Sequence, residues 1–178
     1  PWQREIVRIV RKVSQYFYPQ RQTQVMNEGW ATFWHHRILN TMYDDGHLTD
    51  GVMIEWLKSH TNVVYQPRVG ERGYSGLNPY ALGFSMYTDL KRVCEKPTDE
   101  DREWFPEIAG KPWLETLDHA MRNFKDESFV GQYLSPRLMR ELRLFAITDD
   151  EDDDELEVSA IHDDAGYRRV RESLSRQY

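Results

Sequence analysis

The sequence predicts a mainly α-helical domain with a small β-hairpin near its C-terminus. Apolar residues recur at helical spacing along most of the chain, and polar residues followed by proline begin two of these segments. Only two short segments near the end are typical of strands. We treat the chain as a single domain, with a helical body at 1–141 and the hairpin and a terminal helix at 142–178.

The first part of the chain contains three helical patterns and then a long loop. Trp2–Phe17 is amphipathic and is expected to end at Pro19, because proline interrupts a helix. Thr23–Tyr43 and Asp50–His60 predict the next two helices. Thr61–Asn78 has three glycines, one proline and no sustained period, and loops of this length within a domain are often functional.

The rest of the chain predicts shorter elements. Caps, prolines and apolar periods set their boundaries, and the charged last segment predicts a helix. The expected helices are Pro79–Glu95, a short acidic one after Thr98, Lys111–Phe124, one beginning at Pro136, and Ala165–Tyr178, and the expected hairpin strands are Arg143–Thr148 and Leu156–Ile161.

The charge of the chain is concentrated in one segment. The net charge is −7, and Asp149–Glu155 holds seven consecutive acids, which leaves 23 acids against 23 bases elsewhere. Nucleic-acid binding requires clustered positive charge, so this balance argues against it. Adjacent like charges repel and lack the spaced ligands of a calcium loop, so the acidic run is interpreted as a solvated loop.

Other features of the sequence bear on the cellular compartment of the protein. The sequence has no apolar run of membrane-spanning length and no pattern typical of a signal peptide. Its one cysteine, Cys94, excludes an internal disulfide and favours a cytoplasmic protein. Because the chain starts at Pro1 and is helical at once, we expect it to be part of a longer protein.

The segment NEGWATFWHH, Asn27–His36, raises the main functional question. Glu28 and His35 share a helical stripe, whereas His36 lies about 80° away. A carboxylate among aromatic residues requires a partner, which can be a hydrogen-bond donor, a cation or a metal. A glycine at position 29 indicates close approach of a backbone or ligand, and the rings of Trp30, Phe33 and Trp34 are expected to wall the site.

Two interpretations of this segment stay open on spacing alone. Glu28 and His35 are candidate metal ligands, with zinc as the candidate metal. In the alternative, Glu28 pairs with an arginine or caps a helix, and His35 is a hydrogen-bonded core histidine. The chain lacks the HExxH helix of many zinc hydrolases, and the adjacent His35 and His36 cannot replace it, because neighbouring helical residues point in different directions.

Further candidates lie in or beside the long loop and in a charged segment. His60 and Tyr74 are candidate catalytic residues that could stabilise a developing oxyanion. Asn78 is expected to serve as a turn and cap residue instead. In the charged cluster Lys125–Glu127 we expect a buried pairing with an arginine of the first helix.

Long segments of the chain resemble the SpoVR family, which includes the YcgB-like proteins of non-sporulating bacteria. The resemblance covers essentially the whole chain. Family members extend further at both ends, and their N-terminal part has a histidine-rich segment that could supply partners for Glu28. The matching segments are WQREIVRIVRKVSQYFYPQ, QTQVMNEGWATFWHHRILN, SHTNVVYQP, YSGLNPYALGF, NFKDESF with LSP, and EVSAIHDDAGYRRVRESLSRQY.

The tetrapeptide Glu28-Gly29-Trp30-Ala31 also resembles the helix that presents the third metal ligand in a group of zincin-like hydrolases. This second resemblance implies a zincin-like helix arrangement and a metal role for Glu28. The SpoVR resemblance implies a role in spore cortex formation during sporulation, or in stress and stationary-phase physiology, and an association with a serine-kinase system.

Two functions are therefore expected. The first is a metal-dependent hydrolase acting on peptide or cell-wall amide bonds, active only in the full-length protein. The second is a non-catalytic regulatory or scaffold protein acting with a serine-kinase system.

Overall fold

The computed structural model describes residues 2–68, 71–144, 147–148, 157–158 and 163–178. The mainly α prediction is confirmed, since nine helices account for most of these residues. The helices are α1 (Trp2–Arg21), α2 (Gln24–Asp44), α3 (Asp50–Val63), α4 (Pro79–Glu95), α5 (Asp99–Trp104), α6 (Trp113–Asn123), α7 (Asp126–Tyr133), α8 (Pro136–Glu141) and α9 (Asp164–Ser175).

The predicted C-terminal β-hairpin is wrong as an element of the fold. Instead of two six-residue strands, the described residues of this region pair only as β1 (Ile147–Thr148) against β2 (Glu157–Val158). The first predicted strand is interrupted at its start, because Arg143 has a φ of 54° in a turn after α8. Two residue pairs cannot form a layer that buries apolar surface. The acidic run Asp149–Glu155 lies outside the described residues.

Three helix predictions also need correction. α1 continues through Pro19 to Arg21, because the fixed φ of proline suits a helix and only one backbone hydrogen bond is lost. α3 extends one turn past His60 to Val63. The sequence reasoning missed α7 altogether, because its eight residues are too short to establish a helical period.

The centre of the fold is the contact between α2 and α4. Gly29 and Gly83 meet backbone to backbone, and a Cβ atom on Gly83 would collide with the carbonyl oxygen of Val25 and lie 2.7 Å from the Cα of Gly29. The two helices run in the same direction, since Phe33 packs on Tyr87 one turn further along both. The close backbone approach expected at Gly29 is therefore confirmed, and the approaching group is another helix.

The N-terminus of α2 is capped by a residue from a distant part of the chain. The side chain of Thr23 accepts no capping hydrogen bond. Instead, the buried carboxylate of Asp126 accepts hydrogen bonds from the backbone N–H groups of Val25 at 2.8 Å and Met26 at 2.9 Å. The predicted pairing of this acidic cluster with an arginine of the first helix is wrong, because helix N–H groups satisfy Asp126 instead.

A second buried polar network joins α4, α5 and α8. Arg92 donates two hydrogen bonds to Asp101, at 2.6 and 2.7 Å, and one to Asp89 at 2.7 Å. The hydroxyl of Ser135 donates to Asp89 at 2.6 Å. Burial raises the pKa of Asp101, but hydrogen bonds from Arg92 and Thr98 outweigh burial and hold it at about 2. The network keeps these charges satisfied while they are buried.

Helix α1 lies outside the core. None of its residues is buried, and its apolar side chains are about half to two-thirds exposed, from 49% at Val13 to 68% at Val7. Among the described residues, no helix is both long and apolar enough to span a membrane.

The glycine contact leads to a first prediction. Gly83→Ala should destabilise the protein by about 3 kcal/mol or more, because overpacking against rigid backbone costs at least the usual 1–3 kcal/mol. Gly51→Ala is the matched control, since no atom lies within 4 Å of a Cβ there and alanine favours the helix by roughly 0.5–1 kcal/mol. Urea denaturation followed by circular dichroism compares them. Equal midpoints for the two variants would contradict the packing described.

The distant cap leads to a second prediction. Asp126→Ala should lower the free energy of unfolding by about 2–3 kcal/mol, because it leaves two buried N–H groups without an acceptor. Thr23→Ala, at the position next to α2, should change it by less than about 0.5 kcal/mol, since Thr23 makes no cap. The same denaturation measurement applies, and a larger effect at Thr23 would refute the assignment of the cap to Asp126.

Candidate functional site

Glu28 lies half-buried on α2, one turn after the capped N-terminus. Its neighbour on α4 is Tyr80. Hydrogen bonding to Glu28, burial and the negative charge of Glu28, in that order, raise the pKa of the Tyr80 hydroxyl. This shift has the expected sign, because a hydrogen bond donated to a carboxylate stabilises the neutral phenol.

Glu28 has no arginine or lysine partner among the ion pairs of the described residues. The acidic groups of the core differ, because Asp101 pairs with Arg92 and Asp126 with helix N–H groups. Glu28 is therefore a half-buried carboxylate whose identified partner is a neutral hydroxyl. A carboxylate without a basic partner can still bind a cation.

His35 is exposed and turns toward α3. Its Nδ1 accepts a hydrogen bond from the indole N–H of Trp56 at 3.5 Å. The buried face of α2 runs through Val25, Gly29 and Thr32, and the next residue on that line is His36. The structure thus places His35 at the edge of this face, where its ring packs on Trp56 beside that of His36.

His36 is the site residue that the sequence reasoning missed. Its ring lies half-buried against Phe84, at 5.3 Å between ring centroids, and against His60, at 4.9 Å. Burial lowers the pKa of both histidines, and the charges of His36 and His35 lower that of His60 further. The buried residues Val25, Gly29 and Thr32 recur every three or four positions along α2, and continuing this spacing by four residues could have identified His36.

The two candidate catalytic residues have different surroundings. His60 packs on Trp56 at 5.2 Å and on Phe84 at 4.9 Å between ring centroids. Tyr74 is 38% exposed on the loop between α3 and α4. The structure therefore groups His60 with His36, whereas Tyr74 is an exposed residue of the loop.

The loop that carries Tyr74 is fixed at its base by Asn78. The amide of this side chain donates to the carbonyl oxygens of Val63 at 2.8 Å and Tyr65 at 3.1 Å, and its oxygen caps α4 by accepting from the N–H of Tyr80. The expectation that Asn78 is a turn and cap residue is confirmed. Because Tyr80 follows within the first turn, the same asparagine also positions the partner of Glu28.

The aromatic residues of the motif belong to the core. Trp30 packs on Tyr87 and Trp34 on Trp113, at 5.5 and 6.1 Å between ring centroids. A surface pocket of about 340 Å³ lies elsewhere, beside α6, with Lys111 and His119 in its lining. None of the candidate site residues lines that pocket.

The described residues do not form a complete metal site. Within them, no group of three or more His, Cys, Asp or Glu side chains is arranged to hold a metal ion. Glu28 and His35 as metal ligands therefore stay a prediction, as do His60 and Tyr74 as catalytic residues.

Comparison with known proteins places the chain in context. The family described as SpoVR like protein matches residues 1–178. The chain is 64% identical over 177 residues to a protein of Escherichia coli (strain K12) named uncharacterized protein YcgB, which covers 99% of this chain and 35% of that relative. No solved structure matches, so the zincin-like helix arrangement gains no support.

A third prediction concerns the contact between Glu28 and Tyr80. Glu28→Gln should lower the pKa of Tyr80 toward its ordinary value of about 10, because the negative charge is lost and the hydroxyl is left with a weaker, neutral acceptor. NMR titration of ¹³Cζ-labelled tyrosines measures this, with Glu55→Gln on α3 as the control. An unchanged Tyr80 pKa in Glu28→Gln would show that the two side chains do not interact.

Proposed function

Since the chain belongs to the SpoVR family, we propose that it supplies one wall of a metal-dependent hydrolytic site in which Glu28 is a metal ligand. The observation that carries this proposal is the state of the Glu28 carboxylate. It is half-buried, faces the neutral hydroxyl of Tyr80, and has no basic partner in the described part of the chain. A structural carboxylate in a core is normally paired, as Asp101 and Asp126 are here.

The donor chemistry suits zinc or a similar divalent metal. Zinc accepts carboxylate oxygen, and its carboxylate ligands are held in turn by hydrogen-bond partners that fix their orientation. Tyr80 is placed to do this for Glu28, because the glycine contact and the Asn78 cap fix α4 beside α2. One carboxylate is an incomplete site, so the proposal assigns the remaining ligands to parts of the protein outside the described residues.

The proposed substrates are peptide or cell-wall amides. A bound metal would acidify a water molecule and polarise the amide carbonyl. Glu28 would hold the metal in the site, and Tyr80 would keep the Glu28 carboxylate oriented. The exposed hydroxyl of Tyr74 is the proposed donor to the carbonyl oxygen of the substrate. His60 has less freedom for that role, since it packs between Trp56 and Phe84. A role in spore cortex formation or in stationary-phase physiology would follow from action on cell-wall amides.

A second function is favoured by a different observation. The exposed apolar side chains of α1 are typical of a surface that another protein element covers. We therefore keep the alternative that the protein is a non-catalytic regulatory or scaffold protein acting with a serine-kinase system. The two functions differ in their requirement for metal.

A fourth prediction separates the two functions. The full-length gene product, purified without a metal-affinity step, should contain about one zinc or other divalent ion per chain by elemental mass spectrometry. Glu28→Ala should contain about one ion fewer per chain than the unmodified protein, and Tyr80→Phe should bind that ion roughly 10- to 100-fold more weakly, since it removes only the orienting partner.

The control is Glu55→Ala, which removes an exposed carboxylate from α3 and should keep the metal. A metal content in Glu28→Ala equal to that of the unmodified protein would overturn the assignment of Glu28 as a ligand. If neither the unmodified protein nor the variants contain metal, the scaffold function is favoured instead.

A further inference from the structure

Two histidines from different helices meet two turns along α2 from Glu28. His36 of α2 and His60 of α3 have ring centroids 4.9 Å apart with an angle of 45° between the rings. Both are half-buried, and the aromatic rings of Phe84 and Trp56 pack around them. The immediate surroundings of the pair are therefore aromatic.

The spacing of the two rings matches that of imidazoles bound to one metal ion. A histidine nitrogen binds zinc at about 2.0–2.1 Å, which puts the centres of two neighbouring imidazole ligands about 5 Å apart in tetrahedral geometry. Packing of aromatic rings also gives centroid distances of 4.5–7 Å, so the spacing permits a metal without requiring one. Among the side chains packed here, the imidazoles of His36 and His60 are the ones able to bind a metal.

The relative position of the two rings is fixed by the helices. α2 and α3 are connected by a short turn, and the hydroxyl of Tyr43 donates to Asp50 at 2.9 Å across that turn. Trp56, one turn before His60, is 8% exposed and holds α3 against α2. A ligand pair on rigid helices needs little rearrangement to bind a metal.

We propose that His36 and His60 together bind a divalent transition metal such as Ni²⁺, Cu²⁺ or Zn²⁺ through one ring nitrogen each. No third ligand joins them within the described residues, so the remaining coordination positions are open to water or to a small anionic ligand. Imidazole pairs favour these metals over Mg²⁺ and Ca²⁺, which prefer oxygen.

This site is separate from the one proposed at Glu28. Eight residues of helix separate His36 from Glu28, or about 12 Å along the axis. His35 does not join the pair, because its Nδ1 accepts from the indole N–H of Trp56. The proposed metal site at His36 and His60 is therefore independent of the proposed hydrolytic function.

The test is isothermal titration of the chain with NiCl₂ and with ZnCl₂ at pH 7.5. His36→Phe and His60→Phe keep an aromatic ring of similar size in the packing but remove the nitrogen ligands. Each should weaken binding at least tenfold, because one imidazole alone has no chelate partner. Circular dichroism of each variant verifies the fold, and quenching of tryptophan fluorescence by CuCl₂ gives a second readout near Trp56.

Two control variants give the comparison its specificity. His119→Ala removes an exposed histidine of α6 and Glu55→Gln removes an exposed carboxylate of α3, and both should bind as the unmodified chain does. Glu28→Gln is titrated beside them to identify the site that holds the metal. Absence of binding to the unmodified chain, or unchanged binding in either phenylalanine variant, would overturn the proposal. Loss of binding in Glu28→Gln would assign the metal to the Glu28 site and overturn it as well.

Discussion

The contact between Gly29 and Gly83 is the constraint on which the rest of the structure depends. Without side chains at these positions, α2 and α4 approach until their backbones touch. The flanking large residues, Met26, Phe33 and Tyr87, then pack around the contact and become fully or nearly buried. A close helix contact of this kind tolerates little rearrangement, because the opposing atoms are backbone. Both the core and the candidate site are built outward from it.

Two buried carboxylates secure the elements around this pair of helices. Asp126 takes the free N–H groups at the start of α2, which ties α7 to it, and Asp101 accepts the bidentate Arg92 of α4. Each carboxylate is satisfied by strong donors, and both are buried. Glu28 differs from both, since its neighbour is the phenol of Tyr80. This difference in partners, more than burial, separates the candidate functional carboxylate from the structural ones.

The same two helices also relate the two metal proposals. Glu28 and His36 lie on one helix, and Tyr80 and Phe84, their neighbours on α4, are one turn apart. α3 adds His60 to the second group, and Asn78 fixes the base of the loop that carries Tyr74. The polar side chains thus form distinct groups along α2. Helix α1, with its apolar side chains exposed, takes no part in either group.

The sequence by itself determined the helical class, most helix positions and the caps at Asn78 and Ser135, because helical period and capping are local properties. It failed where the deciding partner is distant in the chain. The sequence predicted an arginine partner for Asp126, but Asp126 caps α2, whose Met26 lies 100 residues earlier in the chain. The predicted hairpin is reduced to two residue pairs, and His36, not His35, continues the buried face of α2. Only the tertiary structure decided these points, because the face of a helix that becomes buried depends on which other helices pack against it.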